Sequence, residues 1–429
     1  MTPPEPRSGS DVHRTIDAVW RIESARLIAG LARIVRDVGL AEELAQDALV
    51  AALEHWPSSG VPANPGAWLM ATAKHRAIDR LRHAKLAERK HEEIGQAREP
   101  ALDLAPALEA ALDGDPGDDL LRLVFIACHP VVPPEGRVAL TLRLLGGLTT
   151  AEIARAFLVP EPTIAQRIVR AKRTLADAHV AFEVPRGAEL AERLTSVLEV
   201  TYLVFNEGYA ATSGDDWTRP ALCEDALRLG RIHTGLVPTD PEVHGLVALM
   251  EIQASRMRAR VGPGGEPVLL LDQNRARWDH VLIRRGLAAL ARAEALDGAR
   301  GPYALQAAIA ACHARALTPD ATDWARIAVL YAALAQRIPS PIIELNRAVA
   351  VAMAFGPAAG LAIVDALTAE PALAGYHLLP SVRGDLLFKL GRFDEARAEL
   401  ERAAELTRNT RERELLHARA AACRPAAVT

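Results

Sequence analysis

Ala, Leu, Arg and Glu recur at spacings of three and four along almost the whole chain, and the alternation of β-branched with polar residues that a strand needs is almost absent. Positions three and four apart share one helix face, so nearly every segment has a stripe to bury and almost none has a pleated side. The expected fold class is all-α. With 429 residues, half of them apolar, the chain exceeds one ordinary core, and roughly two to four domains are expected.

Charge divides the first part of the chain. From Trp68 to Lys90 there are seven Lys or Arg against Asp79 and Glu88. From His91 to Leu120 nine acids face Arg98 alone, and Pro100, Pro106 and Pro116 interrupt any long helix, which reads as an acidic linker over 96–120. From Arg137 to Asp177 seven Arg or Lys again outnumber three acids. The net charge of the whole chain is only -4, so a nucleic-acid surface has to be local. Cys128, Cys223, Cys312 and Cys423 stand alone, with no CxxC and no histidine at ligand spacing, and they read as buried thiols of a reducing compartment; no metal and no cofactor are expected. The N-terminal "MTPPEPRSGSD" lacks the apolar stretch of an export signal, and no apolar run reaches the roughly 18 residues of a membrane span. A cytoplasmic protein with no membrane partner is expected.

The segment "TTAEIARAFLVPEPTIAQRIVRAKRTL", 149–175, carries a helix-turn-helix pattern. Thr149 and Glu152 form a capping box at the first helix start, and Pro162 fits only the first turn of the second helix, where its missing N–H costs little. In that second helix Ile164, Ile168, Ala171 and Leu175 share a buried face, while Thr163, Gln166, Arg167, Arg170 and Arg173 lie opposite, as base-edge and phosphate contacts in a major groove require. Leu158 stands at the turn corner, where a left-handed backbone would cost a leucine about 1–2 kcal/mol.

Upstream, "AEELAQDALVAALEHWP" places Leu44, Ala48, Leu49, Ala52, Leu53 and Trp56 on an apolar stripe and Glu42, Glu43, Gln46, Asp47 and Glu54 on an acidic opposite face. In "NPGAWLMATAKHRAIDRLRHAK", Trp68, Leu69, Ala73, Ala77, Ile78 and Leu81 are on the buried side and Lys74, Arg76, Arg80 and Arg82 on a face suited to phosphates. Trp68 reads either as core packing or as a base-stacking ring, and Asp79 as a helix partner of Arg76 or Arg82. These segments, in this order over about residues 15–180, resemble a bacterial RNA polymerase sigma factor of the extracytoplasmic-function group. The resemblance implies a region-two domain over 1–95, the linker, and a region-four helix-turn-helix domain over 121–182. It implies that Glu42, Glu43, Gln46 and Asp47 bind core RNA polymerase, that Trp68, Lys74, Arg76, Arg80 and Arg82 open promoter DNA, and that Thr163, Gln166, Arg167, Arg170 and Arg173 read a second promoter element. The linker acids, Asp113, Asp115, Asp118 and Asp119 among them, would suit a positively charged nucleic-acid channel.

After about Pro185 the chain is a series of Ala/Leu-rich helical segments, and residues 183–429 look like the tetratricopeptide-like extension of one sigma-factor subgroup. In "VRGDLLFKLGRFDEARAELERAAEL" Leu387, Leu390, Gly391, Ala396 and Ala403 take the small or apolar packing positions, and Gly356 precedes Gly391 by one repeat length. Such a surface fits a protein or peptide regulator. Asn206, Glu207 and Tyr209 with Asp272, Gln273, Asn274 and Asp279 form the one polar grouping here, but nothing orders them into nucleophile and base, so no enzyme is expected. The rival reading is a signal-responsive helix-turn-helix regulator that never joins polymerase; it has no use for the basic helix at 68–90.

Overall fold

A computed structural model describes residues 9–92, 116–157, 159–210 and 217–424; the side chains of 9–11, 81–92, 116–118 and Arg155 fall outside that description as well. The described residues are helical with no strand, and their single bridge pairs Val261 with Pro267. The chain divides into two compact units, Met1–Val200 and Thr201–Thr429.

In the first unit α1 (Gly9–Val35), α2 (Val38–Ser59) and α3 (Pro65–Glu92) pack on one another, and α4 (Pro116–Ala127) lies against α1. Asp37 caps α2 by accepting the Leu40 N–H (2.8 Å), and α2 stops at Gly60, whose φ of 83° a side chain would resist. Ile28, Leu31, Leu44, Trp56 and Leu69 are fully buried, each such side chain contributing roughly 1.5–3 kcal/mol. Helices α5 (Pro134–Leu144), α6 (Thr150–Phe157) and α7 (Glu161–Asp177) complete a second small core around Leu140, Leu144, Ile153 and Ile164. The unit boundary falls inside α8 (Ala188–Tyr209). Its first half belongs to the first unit, where Arg193 donates to the Phe125 carbonyl (3.1 Å) and Ser196 to that of Cys128 (2.5 Å). The first half of α8, within the span read above as the C-terminal domain, thus bonds to the end of α4 in the first unit. Most of the acidic linker lies outside the described residues, but α4 already begins at Pro116, inside the segment read as linker.

The second unit runs through α9 (Pro220–Leu236), α10 (Pro241–Ala254), α11 (His280–Ala295), α12 (Pro302–Arg315), α13 (Trp324–Arg337), α14 (Pro341–Phe355), α15 (Pro357–Leu367), α16 (Leu378–Lys389), α17 (Phe393–Leu406) and α18 (Thr410–Ala421). Proline opens α9, α10, α12, α14 and α15, a position where its fixed φ favours the helix and its missing N–H is not needed. From α12 onward each helix packs on the next in sequence, burying Leu345, Val364, Leu387, Leu400 and Ala403 in one cluster. Gly356 and Gly391, with φ of 100° and 74°, make the tight turns of α14–α15 and α16–α17, as their spacing predicts. Leu387, Ala396 and Ala403 are buried as expected, whereas Leu390 is 37% exposed because it sits past the last turn of α16 rather than on its packed face.

Candidate nucleic-acid and polymerase interface

The helix-turn-helix forms as its local chemistry dictates. The Glu152 N–H donates to Thr149 Oγ1 (3.1 Å) and the Thr149 N–H to Glu152 Oε2 (2.8 Å), closing the capping box. Burial pushes the Glu152 carboxyl upward, but the Thr149 hydrogen bonds and the Arg21 guanidinium at 2.8 Å outweigh it and hold the group below its ordinary value. Pro162 occupies the first turn of α7, and Ile164, Ile168, Ala171 and Leu175 are buried. On the other side Gln166, Arg170 and Arg173 are exposed, and Thr163 and Arg167 half-buried. Arg173 meets Asp177 at 3.5 Å, but both are mostly solvated, so the pair is weak and leaves the row open to an anionic backbone. Leu158 lies outside the described residues.

On α2 and α3 the residues expected to serve two different partners meet along one seam. Arg76 donates to the Asp47 carbonyl (2.7 Å) and lies 3.7 Å from its carboxylate, and Arg80 lies 3.5 Å from Glu43. Arg76 therefore pairs with Asp47 on the neighbouring helix rather than with Asp79, which is exposed. Lys74 is half-buried, and the Arg82 side chain lies outside the described residues. The half-buried Trp68 stands edge-on to Trp56 with ring centroids 5.3 Å apart, near the ring of His55.

Glu42 departs from the expected acidic face. It is only 4% exposed, turned toward the helix-turn-helix part of the same unit, with Arg143 Nε 2.6 Å and Lys172 Nζ 2.5 Å from its oxygens and Gln46 donating to it at 2.5 Å. Two cations at that distance compensate the desolvation of a carboxylate, which is why Glu42 can leave the solvated side of α2. Asp119 is likewise buried, between Arg33 (2.9 Å) and Arg122 (2.6 Å), so this last acid of the linker segment is a structural anchor for α4 on α1. Arg143 and Lys172, unremarked in the sequence, are recognisable only through the carboxylate they surround. Gln46, Glu43 and Asp47 remain at least partly open.

A helical unit that couples a seam of paired acids and bases to a helix-turn-helix with an open Arg/Gln row defines a DNA-binding transcription protein. Residues 22–86 match the family sigma-70 region 2, residues 122–175 match sigma-70 region 4, and residues 193–294 match a family of unknown function, DUF6596. An uncharacterized protein of Rhizobium meliloti (strain 1021) is 43% identical over 396 residues, covering 90% of each chain. The ECF RNA polymerase sigma factor SigK of Mycobacterium ulcerans is 30% identical over 156 residues, 35% of this chain and 78% of its own length. The probable ECF RNA polymerase sigma factor SigI of Mycobacterium tuberculosis is 27% identical over 177 residues, 40% of this chain and 58% of its own. No solved structure matches the chain. The protein belongs to the sigma-70 factors of the ECF group and carries a C-terminal extension.

The polar grouping of the second unit does not assemble into a reactive site among the described residues. Glu207 is ion-paired with Arg219, Asn274 accepts the Ala276 N–H (3.0 Å), and Asp279 caps α11 by accepting the Val281 (2.8 Å) and Leu282 (3.1 Å) N–H groups. Gly208 allows α8 and α9 to close, since a Cβ there would stand 2.7 Å from the Cys223 nitrogen. All four cysteines are buried and free, and burial pushes the Cys128 thiol up to about 11 and that of Cys223 to about 12. No described group of three or more His, Cys, Asp or Glu is placed to hold a metal, and no described helix is long and apolar enough to cross a membrane.

Proposed function

We propose that this sigma factor directs core RNA polymerase to a defined set of promoters through two grips. Glu43, Gln46 and Asp47 meet the polymerase; Trp68, Lys74, Arg76, Arg80 and Arg82 capture and open the promoter element that melts; Thr163, Gln166, Arg167, Arg170 and Arg173 read the second element. Glu42 joins the first set only if its contacts with Arg143 and Lys172 open. What carries the reading is the two-faced α7, buried on Ile164, Ile168, Ala171 and Leu175 and open on its Arg/Gln side, within a chain that also matches region 2. The C-terminal extension acts in cis, regulating or supporting initiation, and its stacked helices offer a surface for a protein or peptide regulator.

Run-off transcription by core polymerase supplemented with the full chain, on promoters selected in vitro, tests the first part; absence of both co-purification with core and run-off product sinks it. For the second part the chain has to be cut after Ala210 rather than after Asp177, because Arg193 and Ser196 of α8 hydrogen-bond inside the first unit. Activity that rises on truncation means inhibition by the extension, activity that vanishes means a required contact, and unchanged activity removes the cis role.

A further inference from the structure

Within the second unit one place concentrates positive charge that meets no counter-charge among the described residues. Arg256 follows α10, Arg260 follows the 3-10 turn Met257–Ala259, and Arg275 opens the 3-10 turn Arg275–Arg277. All three are half-buried and lie against aromatic rings. The Arg260 guanidinium is 3.7 Å from the Tyr209 ring centroid and 5.6 Å from that of Trp217; Arg256 is 5.8 Å from Tyr209 and 5.7 Å from Trp278; Arg275 is 4.9 Å from Trp278. Their hydrogen bonds go to neutral acceptors. Arg260 donates to the Tyr209 carbonyl (3.0 Å), Arg256 to Tyr209 Oη and Gln253 Oε1, and Arg275 to the carbonyls of His313 (2.5 Å) and Ala316 (2.6 Å) and to Thr322 Oγ1 (3.2 Å).

Elsewhere in this unit arginines find carboxylates: Arg231 and Arg285 share Glu251, and Arg219 holds Glu207. Arg256, Arg260 and Arg275 meet none among the described residues. Aromatic faces relieve part of the desolvation but do not neutralise the charges. The cost is visible in the neighbours. Burial, reinforced by Arg256 and Arg275, pushes His313 down to about 3, and burial with Arg256 beside it lowers both Arg260 and Arg275. Three buried donors here lack an acceptor among the described residues, namely Arg260 Nε, Arg275 Nε and the indole Nε1 of Trp278, a side chain only 4% exposed. Unsatisfied donors of one sign in a low-dielectric setting are what an oxyanion resolves.

Trp278 also walls an open groove of about 600 Å³, a volume suited to a small molecule, whose lining carries Arg258 and Arg277 together with Asp279. Between Ser255 and Asp279 the chain thus has five arginines against Glu266, Asp272 and Asp279. Two of those acids are already engaged: Glu266 accepts the Gly264 N–H (2.8 Å), and Asp279 caps α11.

We propose that this groove, with the Arg256–Arg260–Arg275 cluster behind Trp278, binds a small multiply charged oxyanion, a phosphate or polycarboxylate compound. The site lies in the C-terminal extension and is independent of the DNA-binding reading of α7. It makes the extension a receptor for a small anionic ligand.

The test is thermal-shift and calorimetric titration of the full-length protein with pyrophosphate, inorganic phosphate, adenosine diphosphate and citrate at matched ionic strength. Saturable binding and a rising melting temperature with at least one probe are expected. Preference for the phosphate probes or for citrate identifies the oxyanion's source, and either supports the site. Arg258→Gln and Arg277→Gln, on the groove wall, should each weaken binding about tenfold or more, the effect of losing one charge-assisted hydrogen bond, and Arg256→Gln should weaken it less, through the positive field behind Trp278. The unliganded Arg256→Gln protein should melt no lower than the parent, because one of three mutually repelling charges is gone. Absence of saturable binding by every probe at millimolar concentration overturns the proposal. So does an Arg256→Gln protein that melts lower without ligand while keeping the parent's affinity, which would make the arginines purely structural.

Discussion

Arginines are used in opposite ways in the two units. On α7 of the first unit Arg170 and Arg173 point into solvent and Arg167 is half-covered, along one side of a helix whose other side is core. In the second unit Arg256 and Arg260, flanking one 3-10 turn, and Arg275, from another, turn onto Tyr209, Trp217 and Trp278. On the proposed readings the first arrangement keeps its charges hydrated until a long polyanion displaces the counterions, and the second, which has already lost much of its hydration, suits a compact anion. The same residue type thus stands hydrated in one place and half-buried against aromatic rings in the other, and burial makes the difference.

Replacing Arg167 and Arg170 together with alanine should break the first half of the comparison most severely. Each lost base or phosphate contact is worth about 1–3 kcal/mol, so run-off initiation should fall about a hundredfold, and the salt slope of promoter binding by the holoenzyme should drop by roughly two. A smaller loss with an unchanged slope would mean that α7 does not lie on the backbone.

Acid probes the second half. The imidazole of His233, buried beside Thr201 (3.1 Å), is pushed down to about 4 by burial alone, and His313 beside the arginine cluster is held at about 3. Both folded values lie below the ordinary 6.5, so their stabilising contribution is complete above pH 6.5 and is lost as pH falls through 4 and then 3. For His233 the loss amounts to about 3 kcal/mol. His129, also lowered to about 4, adds a loss of the same sign in the first unit. Denaturant melts between pH 7 and 4 should show the decline, and His233→Gln should flatten it; a profile identical to the parent's would show that His233 is not the titrating group.

Glu42→Gln sharpens the contrast in the first unit. Here, unlike in the cluster, the cations Arg143 and Lys172 have their carboxylate, and removing it should cost about 2 kcal/mol of stability. Equilibrium denaturation reads this directly, and a neutral result would make the contact incidental. The smallest effect belongs to Arg173→Ala, whose exposed pair with Asp177 should be worth less than about 0.5 kcal/mol in the same measurement.

Much of the first unit was legible in the sequence because its signals are local. Thr149 and Glu152 are three residues apart, the positions 164, 168, 171 and 175 follow the helix period, and Pro162 marks a helix start by its own covalent structure. The paired motifs carried the sigma-factor resemblance for the same reason. The seam of Arg76 with Asp47 and Arg80 with Glu43 joins residues on different helices and was not legible, although all four stood among the expected site residues.

The sequence by itself determined an all-α protein with a capped helix-turn-helix and a two-faced α7, since a helix fixes which of its own residues share a side. The tertiary structure alone decided that Glu42 leaves the acidic face for Arg143 and Lys172, 101 and 130 positions along the chain. It alone also brought Arg256 and Arg275 to one tryptophan. Both outcomes depend on which elements pack together, because burial and counter-charge are properties of the assembled neighbourhood, and no spacing within one helix encodes them.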